Sequence, residues 1–308
     1  MTGTGFPRIG LVLGSGSARG WAHIGVIQAL AEAGIAAQVV CGTSVGALVG
    51  AAYADGDLDR LEKWVRGLSW QNVAALLDFT ASSGLIKGNR LMDMFRERFV
   101  DMDISRLPVA FGAVATDLFT GREVWLREGR VDDAVRASIA LPGLFTPVER
   151  DEMLLVDGGL VNPVPVSLCR AMGADLVIAV DLNADLLGRH LRRRHGPSGG
   201  AMDERDTGWI AANLLSRLPG AALLEWPGKG ARKDQPSLLD ILASSINIMQ
   251  VRITRARLAG EPADVLIAPH VSHLGLLDFH RADAAIAAGR QAAAHAVPQI
   301  RHLLEGLG

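Results

Sequence analysis

The stretch that most constrains this chain is Gly42-Thr-Ser-Val-Gly46, because of what stands on either side of it. Before it, Ala37–Cys41 is a short apolar run that reads as a buried strand. After it, Ala47, Leu48, Val49, Ala51 and Ala52 make an almost wholly apolar helix. A strand that turns into a helix through G-x-S-x-G leaves the serine on a sharp bend, its hydroxyl clear of the backbone at the C-terminal edge of a sheet. Gly42 and Gly46 leave room for that elbow. The helix aims its N–H groups and positive dipole end at the same point. Ser44 is therefore the candidate nucleophile. The competing reading is a serine that only caps the helix beginning at Val45.

The same theme stands upstream. Ile9–Leu13 is an apolar run between glycines and reads as a strand; Trp21, Ile24, Ile27, Leu30 and Ala31 fall at helical spacing, and Gly34 ends that helix. Between them lie Gly14, Gly16 and Gly20, a G-x-G-x-x-x-G one residue longer than the dinucleotide fingerprint. A phosphate cradle is one reading, but no acidic residue ends the second strand. The preferred reading is a backbone nest whose N–H groups face a developing negative charge. Gly16 and Ser17 are the candidate oxyanion donors, and Gly14, Ser15, Arg19 and Gly20 the candidate substrate contacts. Arg19 either holds the loop or meets an anionic group. His23, in the first helix beside the loop, reads as a packing histidine.

The rest of the chain keeps alternating. Helices are expected at Asp57–Leu68, in part of Trp70–Phe79, from an Asn89 cap to Phe99, and at Val131–Ile139. Ser82–Gly88 reads as a loop, Pro108–Thr116 as a central strand and Glu123–Leu126 as a short antiparallel return. Leu154-Leu-Val-Asp157 is a buried strand ending on an acid, followed by Gly158 and Gly159, which remove bulk beside it. Asn162-Pro-Val-Pro165 starts a helix to about Met172, with proline in its first turn. Asp175–Asp181 and Asp264–Ala268 are further strands; Pro236–Leu258 and Arg281–Leu304 are closing helices.

Such alternation gives an α/β fold with a mostly parallel sheet covered on both faces. Ligands bind beyond the carboxyl ends of its strands, so Ser44, the Gly14–Gly20 loop and Asp157 can share one edge. The 308 residues are expected to form a single domain, its core about residues 9–181 plus helices 236–304. Residues 186–235 break the pattern. Arg189, the run Arg192-Arg-Arg-His195 and Gly196-Pro-Ser-Gly-Gly200 precede Trp209, Leu214, Leu215, Leu218 and Trp226. This reads as a variable excursion whose Trp/Leu part has the composition of a lipid-surface contact.

A net charge of −2 gives no nucleic-acid footprint. Cys41 and Cys169 have no metal-ligand spacing and suggest a reducing compartment. Residues 1–8 lack an apolar core of signal-peptide type, and no apolar stretch is long enough for a membrane span. A cytoplasmic protein is expected, with membrane contact at most peripheral.

A serine hydroxyl needs a base. From the residues alone two candidates stand. Asp157 accepts the proton directly, or a later histidine does, His270 or His273, in the order Ser…Asp…His.

These segments together resemble the bacterial patatin-like phospholipases. The resemblance rests on Gly14-Ser-Gly-Ser-Ala-Arg-Gly20 with His23 and Gly25, on Gly42-Thr-Ser-Val-Gly46, on Arg136-Ala-Ser138 leading to Pro142 and Phe145, and on Asp157-Gly-Gly159. It covers about Ile9–Asp181 and, more loosely, the C-terminal helices. It implies a three-layer α/β/α fold and hydrolysis of acyl esters in lipids or lysophospholipids. It also implies a Ser44–Asp157 dyad with no histidine, metal or cofactor in the chemistry. The family usually has three glycines where this chain has Ser15-Gly16-Ser17. The added side chains are expected to narrow the acyl entrance while the backbone donors survive. An acyltransferase of related fold is the nearest rival, needing a histidine near Ser44. A regulatory or binding protein with a little-used site is the other.

Overall fold

A computed structural model describes residues 7–69, 71–73, 87–185 and 238–307. The excursion at 186–235 and most of the segments expected at 70–79 and 82–88 lie outside the described residues. Eight strands form one mixed sheet: β1 (Ile9–Leu13), β2 (Val39–Thr43), β3 (Ala110–Asp117), β4 (Glu123–Leu126), β5 (Val148–Arg150), β6 (Met153–Asp157), β7 (Leu176–Val180) and β8 (Val265–Ile267). Their order is β5-β6-β3-β2-β1-β7-β8, with β4 also on β3. The run from β3 to β8 is parallel, and β4, β5 and β6 add antiparallel pairs.

Every residue of β1, β2 and β7 is buried, the mark of strands covered on both faces. Side chains alternate between the two faces. Leu11, Leu13, Val40, Ala113, Ala115, Ile178 and Val180 face one core. That core is shared with α1 (Ala22–Glu32), α2 (Val45–Asp55) and the last helix, α8 (Ala282–Leu307). Val12, Val39, Cys41, Val114, Val177 and Ala179 face the other, under α6 (Val166–Ala171). Helices α3 (Leu58–Arg66), α4 (Asn89–Arg98) and α5 (Val131–Ser138) widen the first layer, and α7 (Leu238–Gly260) completes the chain before β8. The alanine-rich composition of α8 has a packing reason. Gly25 of α1 lies against the Ile286 carbonyl and Gly289 against that of Ala22, so the two helices approach closely enough that a Cβ at either point would collide with backbone.

Three local expectations are corrected. Asn89 is not the cap of α4; Gly88 is, at φ 75°, a left-handed position that favours glycine. Pro163 and Pro165 precede α6 instead of lying in its first turn, because the helix begins only at Val166. β2 runs to Thr43, two residues further than expected, since Gly42 and Thr43 go on pairing with Ala113 and Val114.

One register decides the geometry of the site. β4 occupies one edge of β3 from Ala113 to Thr116. On the opposite edge β2 pairs in parallel as far as Thr43 opposite Val114. There β6 takes over, antiparallel, with Asp157 opposite Ala115. Two strands thus run toward each other along β3 and stop at neighbouring positions. One ends in Thr43-Ser44 and the other in Asp157.

Candidate active site

The end-to-end meeting brings Ser44 and Asp157 together: Ser44 Oγ donates to Asp157 Oδ2 at 2.6 Å. Ser44 sits at φ 59°, ψ −126°, a conformation that costs a non-glycine residue about 1–3 kcal/mol and persists only where its surroundings fix it. They do so here. The Ser44 N–H donates to Ser138 Oγ at 2.9 Å, and Ser138 Oγ donates in turn to the Val114 carbonyl at 2.6 Å. The Ser44 carbonyl accepts from the N–H groups of Ala47 and Leu48. A Cβ on Gly46 would collide with the carbonyls of Leu13 and Gly14, so the elbow lies directly on the end of β1. The Ser44 side chain makes no cap bond to α2, which removes the helix-cap reading.

Asp157 is almost wholly buried. Its N–H donates to the Ala140 carbonyl, and its own carbonyl accepts from Thr116 Oγ1 at 2.8 Å. Oδ1 accepts from the Gly159 N–H at 2.7 Å, leaving Oδ2 for Ser44. Burial pushes its carboxyl up to about 6, against the opposing pull of the Ser44 and Gly159 hydrogen bonds. A carboxylate held near working pH is a far better proton acceptor than one in open water. Gly158 has no room for a side chain, because a Cβ there would meet the Val114 carbonyl.

The glycine loop is built to leave two donors over. The Gly14 N–H donates to the Val180 carbonyl and that of Ser15 to Pro163. Those of Ala18 and Arg19 go to the carbonyls of Leu276 and Gly16. Among the described residues the N–H groups of Gly16 and Ser17 have no backbone acceptor. Two adjacent donors are a set that an oxyanion can use. Gly20 packs on Val45, with no space for a Cβ, which seats the loop beside the elbow.

Arg19 is buried, its Nε donating to the Gly16 carbonyl and Nη2 to Asn247 Oδ1, both at 3.1 Å, so it holds the loop. Ser15 is buried as well. Its hydroxyl donates to Gln250 Oε1, and that of Ser17 donates to the Leu276 carbonyl at 2.6 Å. Both serine hydroxyls are thus tied to C-terminal segments of the chain.

His23 Nε2 lies 2.8 Å from the Gly14 carbonyl and must donate to it, since a carbonyl only accepts. Complete burial lowers its pKa to about 4, so it is a neutral strut under the loop. His270 is exposed and lies 3.8 Å from Asp185, and His273 is exposed too. Neither bonds to Ser44, so among the described residues the partner of the serine is a carboxylate. No group of three or more potential metal ligands occurs among them.

Sequence reasoning overlooked Thr116, which fixes Asp157 from the neighbouring strand. It gave Ser138 no task beyond a motif position. A threonine beside Asp117 at the end of a mostly apolar strand was the available signal.

A family comparison matches residues 11–170 to the model of patatin-like phospholipases. The chain belongs to the patatin-like phospholipase family. A protein of Mycobacterium tuberculosis named as an NTE family protein is 35% identical over 337 residues, covering 96% of this chain and 92% of its own. The patatin-like phospholipase domain-containing protein 7 of Mus musculus is 34% identical over 184 residues, 57% of this chain and 14% of that protein. Among solved structures, VipD from Legionella pneumophila matches with a TM-score of 0.52 at 14% identity, covering 96% of this chain and 67% of that one. That likeness concerns the fold alone. The family's mixed sheet with helices on both sides is the architecture described above.

Proposed function

We propose that this patatin-like protein is a serine lipid acyl hydrolase working through a Ser44–Asp157 dyad. The observation that carries the reading is the 2.6 Å hydrogen bond from Ser44 Oγ to a buried carboxylate whose pKa is pushed up to about 6. Ser44 Oγ attacks the ester carbonyl as its proton passes to Asp157 Oδ2. The N–H groups of Gly16 and Ser17 hold the oxyanion. The intermediate collapses, the leaving alkoxide takes the proton from Asp157, and the acyl group remains on Ser44. Water then attacks the acyl carbon while Asp157 accepts its proton. Collapse releases the fatty acid and returns the proton to Ser44.

Lipid or lysophospholipid esters are the proposed substrates, on family membership. Among the described residues no helix is long and apolar enough to cross a membrane. Access to lipid is then peripheral in this reading. The test is a fluorophosphonate probe together with a panel of lysophospholipids, diacyl phospholipids and neutral glycerides. Wild-type protein is expected to label and to release fatty acid from at least one class, and Ser44→Ala to do neither. Labelling that persists unchanged in Ser44→Ala overturns the assignment.

A further inference from the structure

The N–H groups of Gly16 and Ser17 are useful only if they are held still, and a glycine-containing loop does not hold itself. The structure supplies the restraint from far along the chain. Asn247 and Gln250, three residues apart, lie on one face of α7. Gln250 is 6% exposed, and its Oε1 accepts from Ser15 Oγ at 3.1 Å and from Asn183 Nδ2 at 3.4 Å. Asn183 Nδ2 also lies 3.2 Å from the Ser15 carbonyl. One turn away, Asn247 Oδ1 accepts from Arg19, whose Nε is bonded to the Gly16 carbonyl. The other end of the Gln250 amide packs on Gly159. A Cβ on Gly159 would meet Gln250 Nε2, and it would lie 3.0 Å from Asp157 Oδ1. The side chain therefore packs between the oxyanion loop and the segment that holds Asp157.

We infer that Gln250 and Ser15 are positioning residues, a latch through which α7 sets the Gly16 and Ser17 donors relative to Asp157. The inference rests on the hydrolase reading above and extends it to residues that touch neither substrate nor the reacting atoms. Its chemical content lies in Ser15. A glycine there, as in the usual family pattern, has no hydroxyl to give to α7. In this chain a side-chain bond across 235 positions of sequence is added to the backbone bonds of the loop. Because the oxyanion is full only in the transition state, loosening its donors should lower kcat and leave KM alone.

The test uses the full chain with a p-nitrophenyl acyl ester, comparing wild type, Ser15→Ala, Gln250→Met, the double variant and Ser15→Thr. Methionine keeps the length and packing of Gln250 while removing its acceptor. Each single variant is expected to lose about tenfold in kcat at constant KM, less than the full loss of an oxyanion donor. The double variant is expected to fall little below Gln250→Met alone, because both changes remove the Ser15–Gln250 bond. Ser15→Thr, which keeps a hydroxyl, should retain most of the wild-type kcat. Wild-type kcat in Ser15→Ala, or losses that multiply in the double variant, overturn the latch. Should Gln250→Met not fold, Ser15→Ala against Ser15→Thr decides alone. If wild type and Ser44→Ala hydrolyse the ester equally, it is the hydrolase reading that fails.

Discussion

The ionisation of Asp157 should be measurable as a cost to the fold, and replacing it by asparagine isolates that cost. In the folded chain burial holds the carboxyl proton up to about pH 6, whereas an unfolded chain releases it near the ordinary value of 3.8. Below 3.8 the residue is protonated in both states, and its contribution to stability is at its fullest. As pH rises through 6 that contribution is lost, because the fold must now accommodate a buried charge. The difference corresponds to about 3 kcal/mol. Asparagine has nearly the same shape and never ionises. The stability of Asp157→Asn relative to wild type should therefore be highest above pH 7. It should decline by most of that ~3 kcal/mol as pH falls to 4. Urea unfolding of both proteins at half-unit steps from pH 4 to 8 gives the difference directly. The difference is needed, because the wild-type curve alone conceals it. His23, neutral in the fold with its pKa lowered to about 4, contributes stability that is present above 6.5 and lost as pH falls toward 4. The two titrations oppose each other over one window. A difference curve that is flat between pH 4 and 7 refutes the buried-base argument. So does an Asp157→Asn variant with wild-type kcat.

In the proposed mechanism the same carboxyl sets the acid limb of catalysis. With Asp157 required as its anion, kcat/KM should rise with pH to a half-maximal point near 6 and level above it, with no second inflection from His270 or His273. An acid limb near pH 4 contradicts this. Ser138→Ala takes away the acceptor of the Ser44 N–H and a donor to Val114, a loss of about 1–3 kcal/mol. The strained φ of Ser44 then loses one of its restraints. Thermal unfolding should report the stability loss, and fluorophosphonate labelling should slow by more than the unfolded fraction explains.

Some of this was written plainly in the chain. The two strand-to-loop motifs could be read locally because each depends on a short apolar run followed by residues that allow a tight turn. That is why β1, the glycine loop and the serine elbow stood out. Errors arose where local chemistry was ambiguous. Gly42 looked like the start of a turn but still pairs with β3, since the elbow bends only at Ser44. Asn89 has a good capping side chain, yet the left-handed backbone at Gly88 ends the loop first. β5 has three residues, Val-Glu-Arg, and no alternation long enough to register.

What no local pattern carried is the reversal of β6. An apolar strand ending in Asp157 reads the same whether it runs with the sheet or against it. Only the antiparallel choice brings its C-terminal end to the C-terminal end of β2. Parallel to β3, Asp157 would end one strand among several along a common edge, a full strand spacing or more from Ser44. Antiparallel and in line with β2, it stops at Ala115 while Thr43 stops at Val114. β3 acts as a ruler that brings together two residues 113 apart in sequence. This arrangement explains why the polar groups of β3 matter. Thr116 fixes the Asp157 backbone, and the Val114 carbonyl fixes Ser138 and through it Ser44. A dyad has no third side chain to orient its base, so the orientation comes from the Gly159 N–H on Oδ1 and from the strand that fixes the Asp157 backbone. The catalytic geometry proposed here is in that sense a property of sheet register. A one-residue slip of β6 along β3 would turn Asp157 to the opposite face of the sheet and away from Ser44.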